Sequence, residues 1–378
     1  MKKAAIVTWC DNNGVTNYGQ ILQCYAMQKV IEKIGLKTLV VNYREKTEWE
    51  LWQGHFSNGT LNQCYEFINK VYKIERKLDK RILRFRKFIR KNIRLSAPCY
   101  TREDVEKCTE NCDILLCGSD QIWNPLWTNP ILALDFGKEK QKRIAYAPSG
   151  VALEDAYSIR KYQELAGYIE RFDAIALRER KGAEILKKYS GKEITDVLDP
   201  TFLLGKDEWE QVMAPRIIDE PYIFCYTLGN LRPYKHLLKA LMKRYGAKKV
   251  IYIPSNLVET AYQNTARFTA YKDAGPAEFL SLIRYAEMVC TDSFHGIALS
   301  VNMEKQFCMF ARSQQGNEAI ASEDRINNIL EKVHMNSRKI GCIKDMERLE
   351  DIDYKVVKQY LRDEIERSWE FLRSAVDL

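Results

Sequence analysis

The chain has 378 residues, which is enough for two domains of ordinary size. Apolar residues make up 46% and charged residues 29%, a balance that excludes a disordered or a collagen-like chain. The formal net charge is +8, which is too small a surplus, averaged over the chain, to indicate a nucleic-acid-binding protein.

Most of the positive charge lies in one segment. From Lys70 to Arg94 there are twelve basic residues and two acidic ones, a net of +10, so the rest of the chain carries −2. Apolar residues recur every three or four positions from Phe67 to Ile89, which predicts a long helix with a basic face. This basic helix, residues 65–94, is either the solvated face of a packed helix or a contact for an anionic membrane or a polyanionic acceptor. Nucleic acid is disfavoured because no aromatic stacking platform accompanies the charge.

The eleven cysteines include no CxxC pair and no cluster with histidine, so a metal site is not expected. Their number is odd and several lie in apolar runs, which is typical of packed thiols in a reduced, cytoplasmic protein. The N-terminal apolar run is too short for a secretory signal and is expected to be a strand. No apolar stretch reaches about 18 residues, so no membrane-spanning helix is predicted.

Hydrophobic periodicity divides the chain into two units in which strands alternate with helices. In residues 1–205, strands are predicted at 4–9, 38–42, 113–117, 144–147, 174–177 and near 197, and helices at 20–34, 156–172 and 181–189. In residues 206–378, strands are predicted at 222–227, 250–253, 288–291 and 307–310, and helices at 234–245, 276–286, 297–301 and 354–372.

This alternation predicts an α/β fold with two Rossmann-like, doubly wound domains that face a cleft, a GT-B-like arrangement. The helix at 354–372 is expected to pack back on the N-terminal domain. Open parallel sheets bind ligands at the carboxyl ends of their strands, so the candidate site residues are sought in the turns that follow strands.

The first such turn, residues 11–23, contains Asn17, Tyr18, Gly19 and Gln23 and leads into a helix, whose N-terminus favours anions or sugar hydroxyls. It lacks the GxGxxG pattern, and no acidic residue ends the second strand, so NAD binding is disfavoured. A capped turn rich in Asn and Gly explains the segment about as well.

The second turn, residues 117–125, follows a buried strand and combines hydrogen-bonding groups with an aromatic ring. Its candidate residues are Ser119, Asp120, Gln121, Trp123 and Asn124. This combination is typical of carbohydrate binding, because sugars offer both hydroxyls and an apolar C–H face. Turn formation explains Gly-Ser-Asp but not the Gln-Ile-Trp-Asn that follows.

The third turn, residues 177–182, would place Arg178 at the sheet edge, where its guanidinium can bind a carboxylate or phosphate through two hydrogen bonds. A surface charge cluster is the alternative. The fourth turn, residues 290–296, holds His295, one of only four histidines, two residues after Ser293. A purely structural histidine is the alternative there. Ser293 is not expected to be a nucleophile, because the GxSxG pattern is absent.

Six short motifs follow one another along the chain. They are Asn17-Tyr-Gly19 before a Leu-Gln helix, Gly118-Ser-Asp-Gln-Ile-Trp-Asn-Pro125, Tyr146-Ala-Pro-Ser149, Leu177-Arg-Glu-Arg-Lys-Gly182, Asp199-Pro-Thr201 and Asp292-Ser-Phe-His-Gly296. Each motif alone is weak. Their combination, over roughly residues 1–335, resembles the polysaccharide pyruvyl transferase family.

The resemblance implies transfer of a pyruvyl group from phosphoenolpyruvate to two hydroxyls of a sugar, which gives a cyclic pyruvate ketal and inorganic phosphate. The sugar would belong to a surface-polysaccharide or lipid-linked oligosaccharide precursor. Phosphoenolpyruvate is then the donor substrate, and no cofactor is expected. The first and second turns would bind the saccharide acceptor through Asn17, Tyr18, Gly19, Gln23, Ser119, Asp120, Gln121, Trp123 and Asn124.

By their positions in the motifs, Arg178 and His295 resemble the family's catalytic donor-site residues, and Arg312 falls where relatives carry a further basic residue. Some relatives have an arginine where this chain has Ser293, so a phosphate contact is expected from elsewhere. The residues expected to bind the donor are Ser293, Arg312, Arg325, Gly229 and Asn230.

The expected chemistry needs one acid and one base. His295 would protonate the methylene carbon of the donor, because its pKa range suits an acid at neutral pH. Arg178 would hold the anion, since a guanidinium is a poor acid. The sequence leaves the base open between Asp120 and Asp292.

Two other functions stay open. One is a GT-B glycosyltransferase that uses a nucleotide sugar, which would share the architecture and the cleft. The other is a non-catalytic sugar-binding subunit that docks on the membrane through Lys70–Arg94, against which the presence of both Arg178 and His295 argues mildly. The acceptor sugar, the ketal stereochemistry and the oligomeric state are not predicted.

Overall fold

The computed structural model describes residues 1–10, 16–44, 79–126, 128–150, 155–254, 265–311 and 317–377. Within these residues the chain forms two separate parallel sheets, one in each half. The predicted α/β class with two doubly wound domains is confirmed.

Seven parallel strands form the first sheet: β1 Lys3–Val7, β2 Lys37–Tyr43, β3 Leu95–Cys99, β4 Ile114–Cys117, β5 Lys142–Tyr146, β6 Ala174–Leu177 and β7 Thr195–Asp196. Their spatial order is β3-β2-β1-β4-β5-β6-β7. The winding direction therefore reverses between β1 and β4. Such a reversal opens a crevice at the carboxyl ends of the two strands.

Six parallel strands form the second sheet: β8 Tyr222–Tyr226, β9 Lys249–Tyr252, β10 Phe268–Ala270, β11 Met288–Thr291, β12 Phe307–Phe310 and β13 Lys339–Ile340. Their spatial order is β10-β9-β8-β11-β12-β13, so the winding reverses between β8 and β11. The turns after these two strands contain residues 227–230 and 292–295, which include His295.

Helices connect the strands of both sheets. In the described residues they are α1 Tyr18–Lys33, α2 Lys80–Asn92, α3 Arg102–Thr109, α4 Ala156–Ile169, α5 Arg180–Ser190, α6 Lys206–Glu210, α7 Lys235–Arg244, α8 Pro276–Arg284, α9 Phe294–Asn302, α10 Asn317–Lys332, α11 Ile343–Glu347 and α12 Tyr354–Asp377. Short 3₁₀ turns lie at Pro200–Leu203, Arg232–Tyr234 and Asn336–Arg338. None of these helices has both the length and the apolar composition that crossing a bilayer requires.

Both faces of the first sheet are covered, as strand β1 shows. Ala4 and Ile6 belong to one apolar cluster, and Ala5 and Val7 belong to another on the opposite face. A parallel strand that is buried on both faces needs an apolar residue at every position. This explains why the strand reads Ala-Ala-Ile-Val without polar alternation.

Tyr18, at the start of α1, packs the two domains together. Its ring stacks on Phe279 of α8 at a centroid distance of 4.4 Å and meets Tyr226 of β8 edge-on at 5.5 Å. Its hydroxyl donates a hydrogen bond to the carbonyl of Ala274 over 2.8 Å. The side chain is buried, so the expectation that Tyr18 binds the acceptor is wrong: the ring belongs to the contact between the domains.

The basic helix is described from residue 79 onward, as α2, and residues 65–78 lie outside the described part of the chain. Two of its arginines connect the domains through hydrogen bonds. Arg81 Nε donates to the carbonyl of Lys272 over 2.9 Å, and Arg84 Nη1 donates to the carbonyl of Asp273 over 2.8 Å. Lys80, at the start of α2, is exposed and lies 3.8 Å from the carboxylate of Asp273, and further along the helix Arg86, Lys87, Arg90 and Lys91 are exposed.

The last helix, α12, touches both domains. Near its start Val357 is buried in the main core, and Tyr354 donates to the carbonyl of Ser300 over 3.3 Å. Further along, Ser368 Oγ accepts a hydrogen bond from the backbone N–H of Leu198 over 3.0 Å. The helix thus runs from the second domain onto residues that follow β7 of the first.

Candidate active site

The site is a small cavity of about 80 Å³ between the turns at the two winding reversals. The first domain contributes Asn17, Asp120 and Gln121 to its wall. The second domain contributes Tyr226, Leu228, Ser293, Phe294, His295, Arg325 and Ile326. Three of the four predicted turns, the first, the second and the fourth, therefore meet at one place.

His295 is the second residue of α9 and is 8% exposed. Its Nε2 atom lies 3.8 Å from Oδ2 of Asp199, a distance at which an imidazolium and a carboxylate attract each other. That nitrogen is buried and makes no hydrogen bond within the described residues. The predicted donor residue therefore lies on the cavity wall with one nitrogen beside a carboxylate.

Arg178 follows β6 and is 2% exposed. Its Nε donates to Glu179 over 2.8 Å and its Nη1 to Asp199 over 3.0 Å. Its guanidinium also stacks on the ring of Phe294 at 4.1 Å. Burial alone would lower the pKa of Arg178, but Glu179, Asp199 and Asp120 outweigh it and raise that pKa above its ordinary value. Arg178, which was expected to hold the anion of the donor, is therefore buried behind the cavity wall and already paired with carboxylates.

Asp199 joins these residues and had no role in the expectations from sequence. It follows β7 and is 1% exposed. Its Oδ2 accepts from Ser119 Oγ over 2.7 Å as well as from Arg178, and its Oδ1 accepts from the N–H of Thr201 over 3.0 Å. Burial would raise the pKa of Asp199, but His295, Arg178 and the Thr201 N–H together hold it well below the usual range.

The sequence does contain a pattern that indicates a pairing of Asp199 with Arg178. Asp199-Pro-Thr201 follows a strand of the same sheet that carries Arg178, and a buried arginine needs a carboxylate partner. Glu179, which is 1% exposed and accepts from both Arg178 and Ser149, lies next to Arg178 in its motif. Both acids could have been assigned from this pairing rule.

Gln23 and Ser119 are buried beneath the site. Gln23 Oε1 accepts the N–H of Ser119 over 3.1 Å, and Gln23 Nε2 donates to Thr8 Oγ1 over 3.0 Å. Both residues are fully buried, so the expectation that they bind the acceptor is wrong. They connect the turn after β1 to the turn after β4 and thereby fix the position of Asp120.

Trp123 is not a platform for a sugar, because its side chain is fully buried. Its indole Nε1 donates to the carbonyl of Leu132 over 3.2 Å. Asn124 is also buried, and its Oδ1 accepts the N–H of Leu126 over 3.0 Å. Of the second turn, only Asp120 and Gln121 reach the cavity.

The turn after β8 does not offer the donors that were expected for the phosphate. The carboxylate of Asp292 accepts the backbone N–H groups of Leu228 and Gly229 over 2.7 and 2.8 Å. Asn230 Oδ1 accepts the N–H of Arg232 over 2.9 Å. Gly229 and Asn230 are therefore engaged in hydrogen bonds that stabilise the turn, and the carboxylate of Asp292 holds the turn in place.

Among the basic candidates for the donor, Arg325 of α10 lies on the cavity wall with Ser293. Ser293 precedes α9, and its side chain caps no helix N–H. Arg312 lies outside the described residues. Asn17 caps α1 by accepting the N–H of Gln20 over 3.2 Å, and it also reaches the cavity.

Two doubly wound domains with a shared charged cavity define a two-domain α/β enzyme of the GT-B-like kind. A family model described as polysaccharide pyruvyl transferase matches residues 17–314. The chain therefore belongs to the polysaccharide pyruvyl transferase family and is a transferase. This confirms the resemblance found in the six motifs.

Solved structures with a similar chain trace share little sequence with this protein. MnaA of S. aureus with UDP is 14% identical with a TM-score of 0.48, covering 99% of this chain and 91% of its own. The UDP-GlcNAc 2-epimerase of Methanocaldococcus jannaschii is 11% identical with a TM-score of 0.46, covering 96% and 99%. The E. coli heptosyltransferase WaaC with ADP is 10% identical with a TM-score of 0.43, covering 97% and 99%. A sequence comparison with curated proteins finds no match.

Proposed function

We propose that the protein transfers the pyruvyl group of phosphoenolpyruvate to two hydroxyls of a sugar in a surface-polysaccharide or lipid-linked oligosaccharide precursor. Membership in the family supports pyruvyl transfer to a saccharide. The observation that carries the proposal is the position of His295, on the wall of an interdomain cavity and 3.8 Å from the carboxylate of Asp199. This position supports a role for His295 as the acid that acts on the donor.

The proposed reaction uses two protons from the sugar and one from the enzyme. The imidazolium of His295 gives its proton to C3 of the donor, which becomes a methyl group. The first hydroxyl oxygen bonds to C2 and its proton passes to a base. Transfer of this proton from the base to His295, directly or through solvent, then restores the enzyme. The second hydroxyl oxygen bonds to C2 as the bond from C2 to the phosphate oxygen breaks, and its proton leaves with hydrogen phosphate. The products are a ketal with one methyl group and inorganic phosphate.

Asp120 is the better candidate for the base. It lies on the same cavity wall as His295. Asp292 is less suited, because its two oxygens accept backbone N–H groups of the turn after β8. Proton transfer needs a group within hydrogen-bond reach of the reacting hydroxyl, which the cavity position of Asp120 allows.

The cavity suits the donor better than the sugar. With a volume of about 80 Å³ the cavity is small, so we assign it to the charged groups of the donor rather than to the sugar. Arg325 and the N-terminus of α9 would attract the phosphate and carboxylate, and Arg312 is the further basic candidate. The sugar would approach past Leu228, which is 48% exposed at the cavity.

We also place the proposed reaction in the cytoplasm, at the inner face of a membrane. All ten cysteines that the structure describes are free thiols, which is typical of a reducing compartment. The exposed basic face of α2 would attract anionic lipid head groups, at ~1 kcal/mol per basic residue near the surface. Such a contact would bring the enzyme to a lipid-linked acceptor.

The proposal is tested by release of phosphate from phosphoenolpyruvate in the presence of free and lipid-linked saccharides. We expect release with the native protein and loss of release in His295→Asn, while His236→Asn, which changes an exposed histidine, keeps the activity. Stabilisation of the fold by a UDP or GDP sugar, but not by phosphoenolpyruvate, would instead favour a glycosyltransferase. Binding to anionic vesicles without any donor binding would favour a non-catalytic subunit.

A further inference from the structure

The carboxylate of Asp199 is held in one orientation by three segments of the first domain. Oδ1 accepts the N–H and the hydroxyl of Thr201, over 3.0 and 2.8 Å. Oδ2 accepts Ser119 Oγ over 2.7 Å and Arg178 Nη1 over 3.0 Å. With four donors fixing both oxygens, the carboxylate cannot rotate away from His295, which belongs to the second domain.

We propose that Asp199 is a positioning residue for His295: its fixed carboxylate keeps the proton of the neutral imidazole on Nε2 and holds the ring in place at the cavity wall. This inference rests on the proposed function, because it assigns a residue that orients the proposed acid, His295. Arg178 acts through the same carboxylate, because it orients Asp199 rather than lining the cavity.

Burial strengthens the electrostatic attraction between Asp199 and His295. Asp199 is 1% exposed and His295 8%, so water screens their attraction only weakly. The imidazole is confined on its other side as well, because a Cβ on Gly19 would stand 2.2 Å from Nδ1. The α1 backbone therefore packs against the ring, and the histidine keeps its Nε2 edge toward Asp199.

Several other charged or titratable groups surround the imidazole. Asp120, Tyr226 and Arg325 line the same cavity, and Arg178 lies behind the ring of Phe294. Asp292, in the same turn as His295, is engaged with the turn after β8. Asp199 is thus the carboxylate beside Nε2, and its loss would also remove one of the two carboxylate partners of Arg178.

The main test compares Asp199→Asn with the native protein. The amide keeps the size of the side chain but removes its charge. We expect kcat for phosphate release to fall about 100-fold, with a smaller change in KM for phosphoenolpyruvate. Thr201→Val is the matched control, because it removes a contact to the same carboxylate and keeps the charge, so its kcat should fall much less.

A second measurement needs no activity and no variant of Asp199. Nitrogen-15 spectra of histidine-labelled protein report which ring nitrogen carries the proton, and His295→Asn identifies the signal among the four histidines. We expect the neutral ring of His295 to carry its proton on Nε2. A proton on Nδ1, or an unchanged kcat in folded Asp199→Asn, would overturn the inference. Protonated Nε2 in a protein that never releases phosphate would keep the inference and refute the proposed function.

Discussion

Gly19 and His295 lie in contact across the two domains: a Cβ at position 19 would stand 2.2 Å from Nδ1 of the imidazole. Only a residue without a side chain lets the first turn of α1 approach the ring this closely. The conformation of Gly19 is helical, so the reason for glycine here is space rather than backbone freedom. The motif Asn17-Tyr-Gly19 thus contributes to the site through packing rather than through contact with a sugar hydroxyl.

Replacing Gly19 with alanine should displace His295. A displacement of about 1 Å at a reacting group can cost ~100-fold in rate, so we expect kcat for phosphate release to fall by that order. Gly167→Ala in α4 is the matched control, because a Cβ there meets no atom within 4 Å. The control should keep its activity and gain up to about 1 kcal/mol of stability. Full activity in Gly19→Ala would contradict the contact.

Tyr18→Phe should affect stability and not sugar binding. The variant loses the hydrogen bond to the Ala274 carbonyl, which is expected to lower the free energy of unfolding by about 1 kcal/mol. Tyr18→Ala should cost about 3–5 kcal/mol, because the ring stacks on Phe279 within the domain contact. Chemical denaturation measures both values. An increase in the acceptor KM of Tyr18→Phe at unchanged stability would restore the binding role expected from the sequence.

Substitutions should distinguish the two candidate bases, Asp120 and Asp292. Asp120→Asn should lower kcat about 100-fold or more and leave the fold intact, because the carboxylate lies on the cavity wall. Asp292→Asn should mainly lower the melting temperature, because its carboxylate holds the N–H groups of Leu228 and Gly229. Steady-state kinetics together with thermal unfolding test this assignment. Asp292→Asn with native stability and no turnover would reverse it.

The basic residues of α2 should divide into two groups. Replacing the exposed Arg86, Lys87, Arg90 and Lys91 with glutamine should abolish sedimentation with anionic vesicles and leave stability nearly unchanged. Replacing Arg81 and Arg84 with alanine should instead destabilise the protein, because both donate to backbone carbonyls of the second domain. Vesicle binding by the native protein should weaken as salt increases. Unchanged binding in the glutamine variant would contradict the membrane contact.

Stability at low pH should depend on Asp199. Its pKa in the folded protein is held below that of the unfolded chain, which is near ~3.9. The ionised carboxylate therefore contributes stability above that pH, and the contribution is lost as the pH falls toward the folded-state pKa. We expect the free energy of unfolding to decrease less steeply below about pH 4 in Asp199→Asn than in the native protein. Equal slopes in denaturant titrations across that range would contradict the depressed pKa.

The sequence was most informative where strands are buried on both faces. Ala174–Leu177, Met288–Thr291 and Phe307–Phe310 have the predicted bounds, because such strands are continuous apolar runs. Strand β3 was not predicted, because this edge strand contains Pro98 and is partly exposed. Helix α10 was not predicted either, because its sequence has few apolar residues. Packing against other elements supplies the stability that its intrinsic helix propensity does not.

The candidate site was predictable in position but not in detail. His295 was found because it lies in a turn after a strand, where open sheets bind ligands. Trp123 was misassigned because a motif does not reveal which side chains of a turn point into the core. The role of Asp199 depends on three segments that meet only in the fold, so no local pattern could supply its contacts with Ser119 and His295.

Proton NMR of the reaction in D₂O is the most direct test of pyruvyl transfer with His295 as the acid. The ring nitrogens exchange with solvent, so the proton delivered to C3 of phosphoenolpyruvate would be a deuteron. We predict a new ketal methyl signal that carries one deuterium and grows as the donor's methylene signals disappear, and no such signal with His295→Asn. Loss of phosphoenolpyruvate without a ketal methyl signal, or an active His295→Asn protein, would contradict the account.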